Sequence, residues 1–184
     1  MPGIFICYRR DDSRAEAGRL EDALKLRFGK GNVFRDTSNI PAGARWDDQI
    51  HETLTSAQVV LVLIGLHWLD ARDESGRSRL EDPEDYVRRE IEHGLTADRV
   101  RVVPLLLDGA RMPRADELPE SLTELVDLQA FTLADDSWDA DVETLRTSPG
   151  GHLATAAHDR MAGRRDGTRS RPRGRRPTSD REPA

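Results

Sequence analysis

Cysteine occurs once in the 184 residues, at Cys7. A single thiol excludes an internal disulfide framework and a zinc site built from thiolates, and it is neutral toward a reducing compartment, so cytoplasm is the expected location. Long apolar runs are also missing. The longest, Val59 to Ile64, falls far short of the ~20 residues that span a bilayer. The chain passes from Met1-Pro2-Gly3 straight into a strand pattern, with no basic region and apolar stretch ahead of it, so neither a signal peptide nor a membrane anchor is expected. Lysine is scarce as well, while arginine and alanine are abundant.

Charge is plentiful but unevenly placed. Residues 1–145 hold 18 Lys+Arg against 30 Asp+Glu, whereas residues 146–184 hold 10 against 4, so a formal net charge of -6 combines a body of -12 with a tail of +6. An acidic body argues against a nucleic-acid module, because duplex binding draws its affinity from clustered cations that neutralise phosphates. With 36% hydrophobic and 34% charged residues, the length suits one globular domain and a polar extension rather than two cores.

Apolar and β-branched clusters predict strands at residues 4–7, 32–34, 59–64, 100–107 and 129–133, each followed by a helical or loop segment. That alternation implies a parallel sheet. The 59–64 run has no polar position, as a strand covered by helices on both faces requires, and it belongs near the sheet's centre. The first helix is expected to start at Ser13, with Glu16 reaching back, and to carry Ala17, Leu20, Leu24 and Phe28 along one stripe. A second helix is expected from Trp46 to Ala57. A third is expected to begin at Asp82-Pro83 as N-cap and first helical position, with Val87, Ile91 and Leu95 inward. A fourth is expected over 117–128 and a short fifth over 138–146 with a stripe of Val142 and Leu145. From Thr147 onward Gly, Pro, Ser and Arg dominate and periodicity stops, which predicts disorder for residues 147–184.

The order Ile4-Phe5-Ile6-Cys7-Tyr8-Arg9-Arg10, then Phe34-Arg35-Asp36, then Ile40-Pro41-Ala42-Gly43, then Tyr86-Val87-Arg88-Arg89-Glu90-Ile91 resembles the TIR (Toll/interleukin-1 receptor) domain family over residues 1–146. The Arg- and Ala-rich, Lys-poor composition suggests a GC-rich bacterial genome. The resemblance implies a flavodoxin-like α/β fold with a five-stranded parallel sheet and helices on both faces. It also implies one of two functions: docking on other TIR domains in signalling or defence, or cleavage of the nicotinamide N-glycosidic bond of NAD+, with NAD+ as substrate and no cofactor. The expected partners are NAD+ and further TIR domains, with neither nucleic acid nor membrane.

In that family an aromatic, three residues and then Glu before a branched apolar residue mark the catalytic carboxylate, so the resemblance carries to Tyr86 and Glu90, though many relatives have Trp where Tyr86 stands. A carboxylate suits the reaction, because departure of nicotinamide builds oxocarbenium-like charge on the ribose. The bland alternative is a solvated helical glutamate paired with an Arg or Lys. Tyr8, Arg9 and Arg10 follow the first strand, where an open parallel sheet has its binding crevice. The resemblance sets them beside the dinucleotide, while the alternative pairs Arg9 and Arg10 with Asp11 and Asp12. Ile40 and Gly43 match the loop that covers the pocket, and Trp46 resembles an aromatic that stacks on the nucleotide, although its place in the helical stripe favours core packing. Cys7 stands where serine is common and is expected to be buried, since no nearby histidine would make a thiolate. Met112 stands near where some relatives use an aromatic across an assembly interface.

Other motifs fail. Gly29-Lys30-Gly31 lacks the spacing of a phosphate loop, and His51, His67 and His93 show no metal-ligand spacing. A phosphoacceptor receiver domain shares the expected strand order, but it needs an aspartate ending the third strand and a lysine ending the fifth. Ile64-Gly65 and Phe131-Thr132-Leu133 supply neither.

Overall fold

The unbroken apolar run from Val59 to Ile64 is explained by the two layers that cover it. In the computed structural model, which describes residues 3–35, 56–147 and 153, the run lies in β3 (Ala57–Ile64), the middle strand of a five-stranded sheet. Around it stand β1 (Gly3–Cys7), β2 (Val33–Arg35), β4 (Arg101–Leu107) and β5 (Phe131–Leu133). Their order is β2-β1-β3-β4-β5 and every pairing is parallel. This is the flavodoxin-like order of doubly wound α/β folds.

Because successive strand residues point to opposite faces, each strand feeds two cores. Ile4 and Ile6 of β1 and Leu61 and Leu63 of β3 pack with α1 (Arg10–Phe28) through Leu20 and Leu24, and with α3 (Trp138–Thr147) through Val142 and Leu145. Phe5 and Cys7 of β1 and Val60 and Val62 of β3 face the other way, toward Val87 and Ile91 of α2 (Tyr86–Thr96). The expected stripes on all three helices are the ones that are buried or half-buried. No helix among the described residues is long and apolar enough to cross a membrane.

Several local expectations give way to tertiary contacts. Ser13 does not cap α1, which runs from Arg10. It sits inside the helix at a kink, with φ -139° and ψ 29°, and its hydroxyl donates to the Arg9 carbonyl. Asp82 does not cap α2 either. It closes a local turn by accepting from the Glu84 N–H at 2.9 Å, and the cap is Asp85, whose carboxylate accepts from the Arg88 N–H at 3.0 Å. The stretch expected as an α-helix over 117–128 forms two 3₁₀ segments, Ala115–Glu117 and Glu120–Asp127. Leu122, Leu125 and Leu128 recur every third residue and pack on the same face, a period that matches three residues per turn rather than 3.6. The fifth strand starts at Phe131 rather than residue 129, and Ala57, expected in a helix, opens β3. The rest of the expected second helix, and the expected tail from 148 except residue 153, lie outside the described residues.

The approach of α2 to the sheet depends on a missing side chain. A Cβ on Gly94 would stand 2.9 Å from a Val102 methyl and 3.5 Å from a Val60 methyl, and β-branched neighbours have little rotamer freedom with which to yield. Gly94→Leu is therefore expected to lift α2 off β3 and β4. Overpacking of this kind destabilises by about 1–3 kcal/mol, which a shift in the urea unfolding midpoint would register; an unchanged midpoint would contradict the packing described.

Candidate active site

The strand order turns back between β1 and β3, and in an open parallel sheet the crevice lies outside the carboxyl ends of the strands at that point. Two segments meet there, Tyr8-Arg9-Arg10 leaving β1 and Gly65 leaving β3. Asp12 ties them together, accepting from the Gly65 N–H at 2.9 Å and the His67 N–H at 2.8 Å. A Cβ on Gly65 would come within 2.5 Å of that carboxylate, so the close approach excludes a side chain.

Arg9 is buried despite its charge. Its two terminal nitrogens donate to the two carboxylate oxygens of Asp85 at 3.2 and 3.1 Å, and the paired side chains are 3% and 1% exposed. The guanidinium also lies 5.8 Å from the centre of the Trp68 ring, and Trp68 is fully buried. Asp85 in turn caps α2 and meets Arg79 Nε at 3.2 Å. Neither Asp11 nor Asp12 is the acid that meets Arg9. The partner lies 76 residues further along the chain.

Around this pair opens a cleft of about 280 Å³, lined by Tyr8, Arg9, Arg10, Asp11, Arg79, Tyr86 and Val87. Four of the residues singled out in the sequence, Tyr8, Arg9, Arg10 and Tyr86, thus share one concavity. Tyr8 is buried, with the Arg35 guanidinium 5.4 Å from its ring centre, while Tyr86 is 41% exposed. Glu90 lies one helical turn beyond Tyr86 and is 1% exposed. It is thus not a solvated helical glutamate, and it sits beneath the cleft rather than in its wall. Ile40, Gly43 and Trp46 lie outside the described residues. Met112 is half-buried against the α2 side of the core. Arg79 and Asp85 complete the site without having been singled out; Asp85 had only the signal of an acid near a helix start, and Arg79 had none.

Cys7 ends β1 directly against Glu90. Its sulfur is 3.8 Å from the Val87 carbonyl oxygen. Burial first, and then the charge of Glu90 and a hydrogen bond to it, hold the thiol well above its ordinary pKa of 9.0. The sulfur therefore stays protonated, donating to the Val87 carbonyl, and is not a nucleophile.

A second cavity of about 620 Å³ opens beside Ser56, Gln58, His93 and Arg99. It lies at the amino ends of β3 and β4, away from the switch point, and holds none of the candidate substrate-binding or catalytic residues.

Breaking a buried ion pair by removing one partner costs about 3–5 kcal/mol, because the other charge is left without compensation. Asp85→Ala is expected to lower stability by that order, and Arg9→Met with Asp85→Leu to recover most of it except the helix cap, as a double-mutant cycle in urea would show. For Cys7 the raised pKa means that the thiol stays protonated in the fold after it ionises in the unfolded chain. Its contribution is complete below pH 9 and is lost as pH climbs from there toward the folded value. Native protein at pH 8 is expected to resist iodoacetamide that labels Cys7 rapidly in denaturant, and labelling at equal rates would refute the burial.

The family model described as a TIR domain matches residues 4–146. No curated protein matches the chain. Among solved structures, the TIR domains of the activated Roq1 resistosome, which directly recognises the pathogen effector XopQ, are 14% identical with a TM-score of 0.52, over 89% of this chain and 99% of that one. A metazoan TIR-STING receptor from C. gigas, solved with 2',3'-cGAMP, is 19% identical with a TM-score of 0.47, over 78% of this chain but 39% of the receptor. With a family match across the whole of the sheet and the three helices, the chain belongs to the TIR domain family.

Proposed function

We propose that this chain cleaves the nicotinamide N-glycosidic bond of NAD+, releasing nicotinamide and an ADP-ribose product, within cytoplasmic signalling or defence. The observation that carries the reading is Glu90, a carboxylate 1% exposed, set one turn beneath Tyr86 at a cleft rich in arginine and tyrosine. As the bond to nicotinamide lengthens, positive charge grows on the anomeric carbon and its ring oxygen. A carboxylate withheld from water stabilises that charge more than an exposed one, because little solvent screens it. The cationic nicotinamide ring departs as a neutral molecule, so the leaving group needs no acid. Glu90 also offers its oxygens to the ribose hydroxyls, orienting the sugar so that water attacks its open face and, losing a proton to solvent, completes ADP-ribose. Tyr8, Arg10 and Tyr86, which line the cleft, hold the rest of the dinucleotide, and Ile40, Gly43 and Trp46 join the substrate-binding set by family resemblance. The basic stretch from residue 148 onward supplies none of the residues assigned to this chemistry.

The near-complete burial of Glu90 also favours a second reading, a TIR–TIR interaction module without catalysis, because a ligand reaches the carboxylate only when part of its cover moves. Self-association fits both readings, as the similar Roq1 domains come from a resistosome. Nicotinamide release measured with purified chain at high concentration separates them. Glu90→Gln preserves the shape and removes the charge, and loss of a preorganised electrostatic group lowers turnover by about 100-fold or more. Equal rates in the native chain and the variant, with equal oligomerisation, would leave only the interaction module.

A further inference from the structure

We infer that Arg79, held at the cleft by the 3₁₀ turn Arg79–Glu81, is the residue that grips an anionic phosphate or pyrophosphate group of the ligand. The inference rests on the NAD+ reading for the identity of the whole ligand but not for the anion site itself.

Of the four charged residues that line the cleft, Arg9, Arg10 and Arg79 are cations and Asp11 is the acid. This cationic excess stands out on a body whose first 145 residues carry 18 Lys+Arg against 30 Asp+Glu. The cations are not equivalent. Arg9 spends both terminal nitrogens on Asp85 and its side chain is 3% exposed, so turning it toward a ligand would strand a buried carboxylate. Arg79 meets the same carboxylate with its Nε at 3.2 Å, and its side chain is 42% exposed. Its guanidinium is thus the more open of the two on Asp85, and Arg79 lines the cleft where a ligand would meet it.

The chemistry of the cluster points the same way. One carboxylate shared by Arg9 and Arg79 leaves a surplus positive charge, and guanidinium presents paired N–H donors that match phosphate oxygens. Asp85 already holds Arg79 at the cleft, so less side-chain freedom is lost when its guanidinium binds a ligand. A cavity of about 280 Å³ is at the small end for a ligand site. It suits a pyrophosphate with part of a sugar rather than an entire dinucleotide.

Inorganic pyrophosphate is the probe, titrated calorimetrically into the full chain. Loss of one charge-assisted contact is expected to weaken its binding about ten-fold in Arg79→Gln, with Arg79→Lys in between. Arg77→Gln removes an equal charge two residues away, from a side chain paired with Asp73 and outside the cleft, and is expected to bind as the native chain does. Thermal melts confirm that each variant is folded. In turnover, Arg79→Gln is expected to raise KM for NAD+ and to leave that for nicotinamide riboside, which has no phosphate, unchanged. A native chain that does not bind pyrophosphate overturns the inference, as does an Arg79→Gln chain that binds it unchanged or an Arg77→Gln chain that loses as much. Pyrophosphate binding that depends on Arg79 upholds the anion site even if NAD+ is never consumed, in which case only the enzymatic reading fails.

Discussion

The buried pair of Arg9 and Asp85 is the joint on which the site depends. It links the residue that leaves β1 to the residue that starts α2, and both side chains are almost without solvent. Two opposite charges so placed tolerate little displacement, because each is costly to bury without the other. The pair therefore sets where α2 begins and how it is rotated about its axis. Rotation decides that Val87 and Ile91 meet the sheet, that Tyr86 faces the cleft, and that Glu90 comes to rest against Cys7. Asp12 performs a similar service on the other side of the crevice, where its carboxylate holds the backbone that leaves β3.

Within that frame, Cys7 keeps its proton because burial, and then the charge of Glu90, disfavour a thiolate at the end of β1. The thiol is small and apolar enough to belong to the core, and its one donor points to the Val87 carbonyl oxygen at 3.8 Å. A serine at this place would offer a stronger donor and less apolar bulk. The end of β1 is thus at once a packing position and part of the surroundings of the candidate catalytic group, which helps explain why a buried glutamate persists in the fold.

The sheet and the helical stripes were largely legible in the sequence because they rest on apolar periodicity, a property of the chain read a few residues at a time. The five strands and the inward faces of α1, α2 and α3 followed from it. What was not legible turned on partners distant in sequence. Ser13 has the residue type of a cap and Asp82-Pro83 the pattern of a helix start, but Asp85 takes the cap of α2 with its carboxylate held by Arg9. In residues 120–128 the three-residue recurrence of leucine was present in the sequence. Its meaning as a 3₁₀ segment rather than an α-helix follows from which leucines face the core.

The candidate site divides in the same way. The residue order alone determined the family resemblance, the parallel doubly wound sheet and the candidate glutamate, since strand and helix patterns are local and motif order survives without knowledge of contacts. Only the tertiary structure decided that Arg9 is committed to Asp85, that Arg79 joins Tyr8, Arg10 and Tyr86 at one cleft, and that Glu90 lies beneath it beside Cys7. Those outcomes are pairings between groups far apart in sequence, and a charge has no partner until the fold brings one to it.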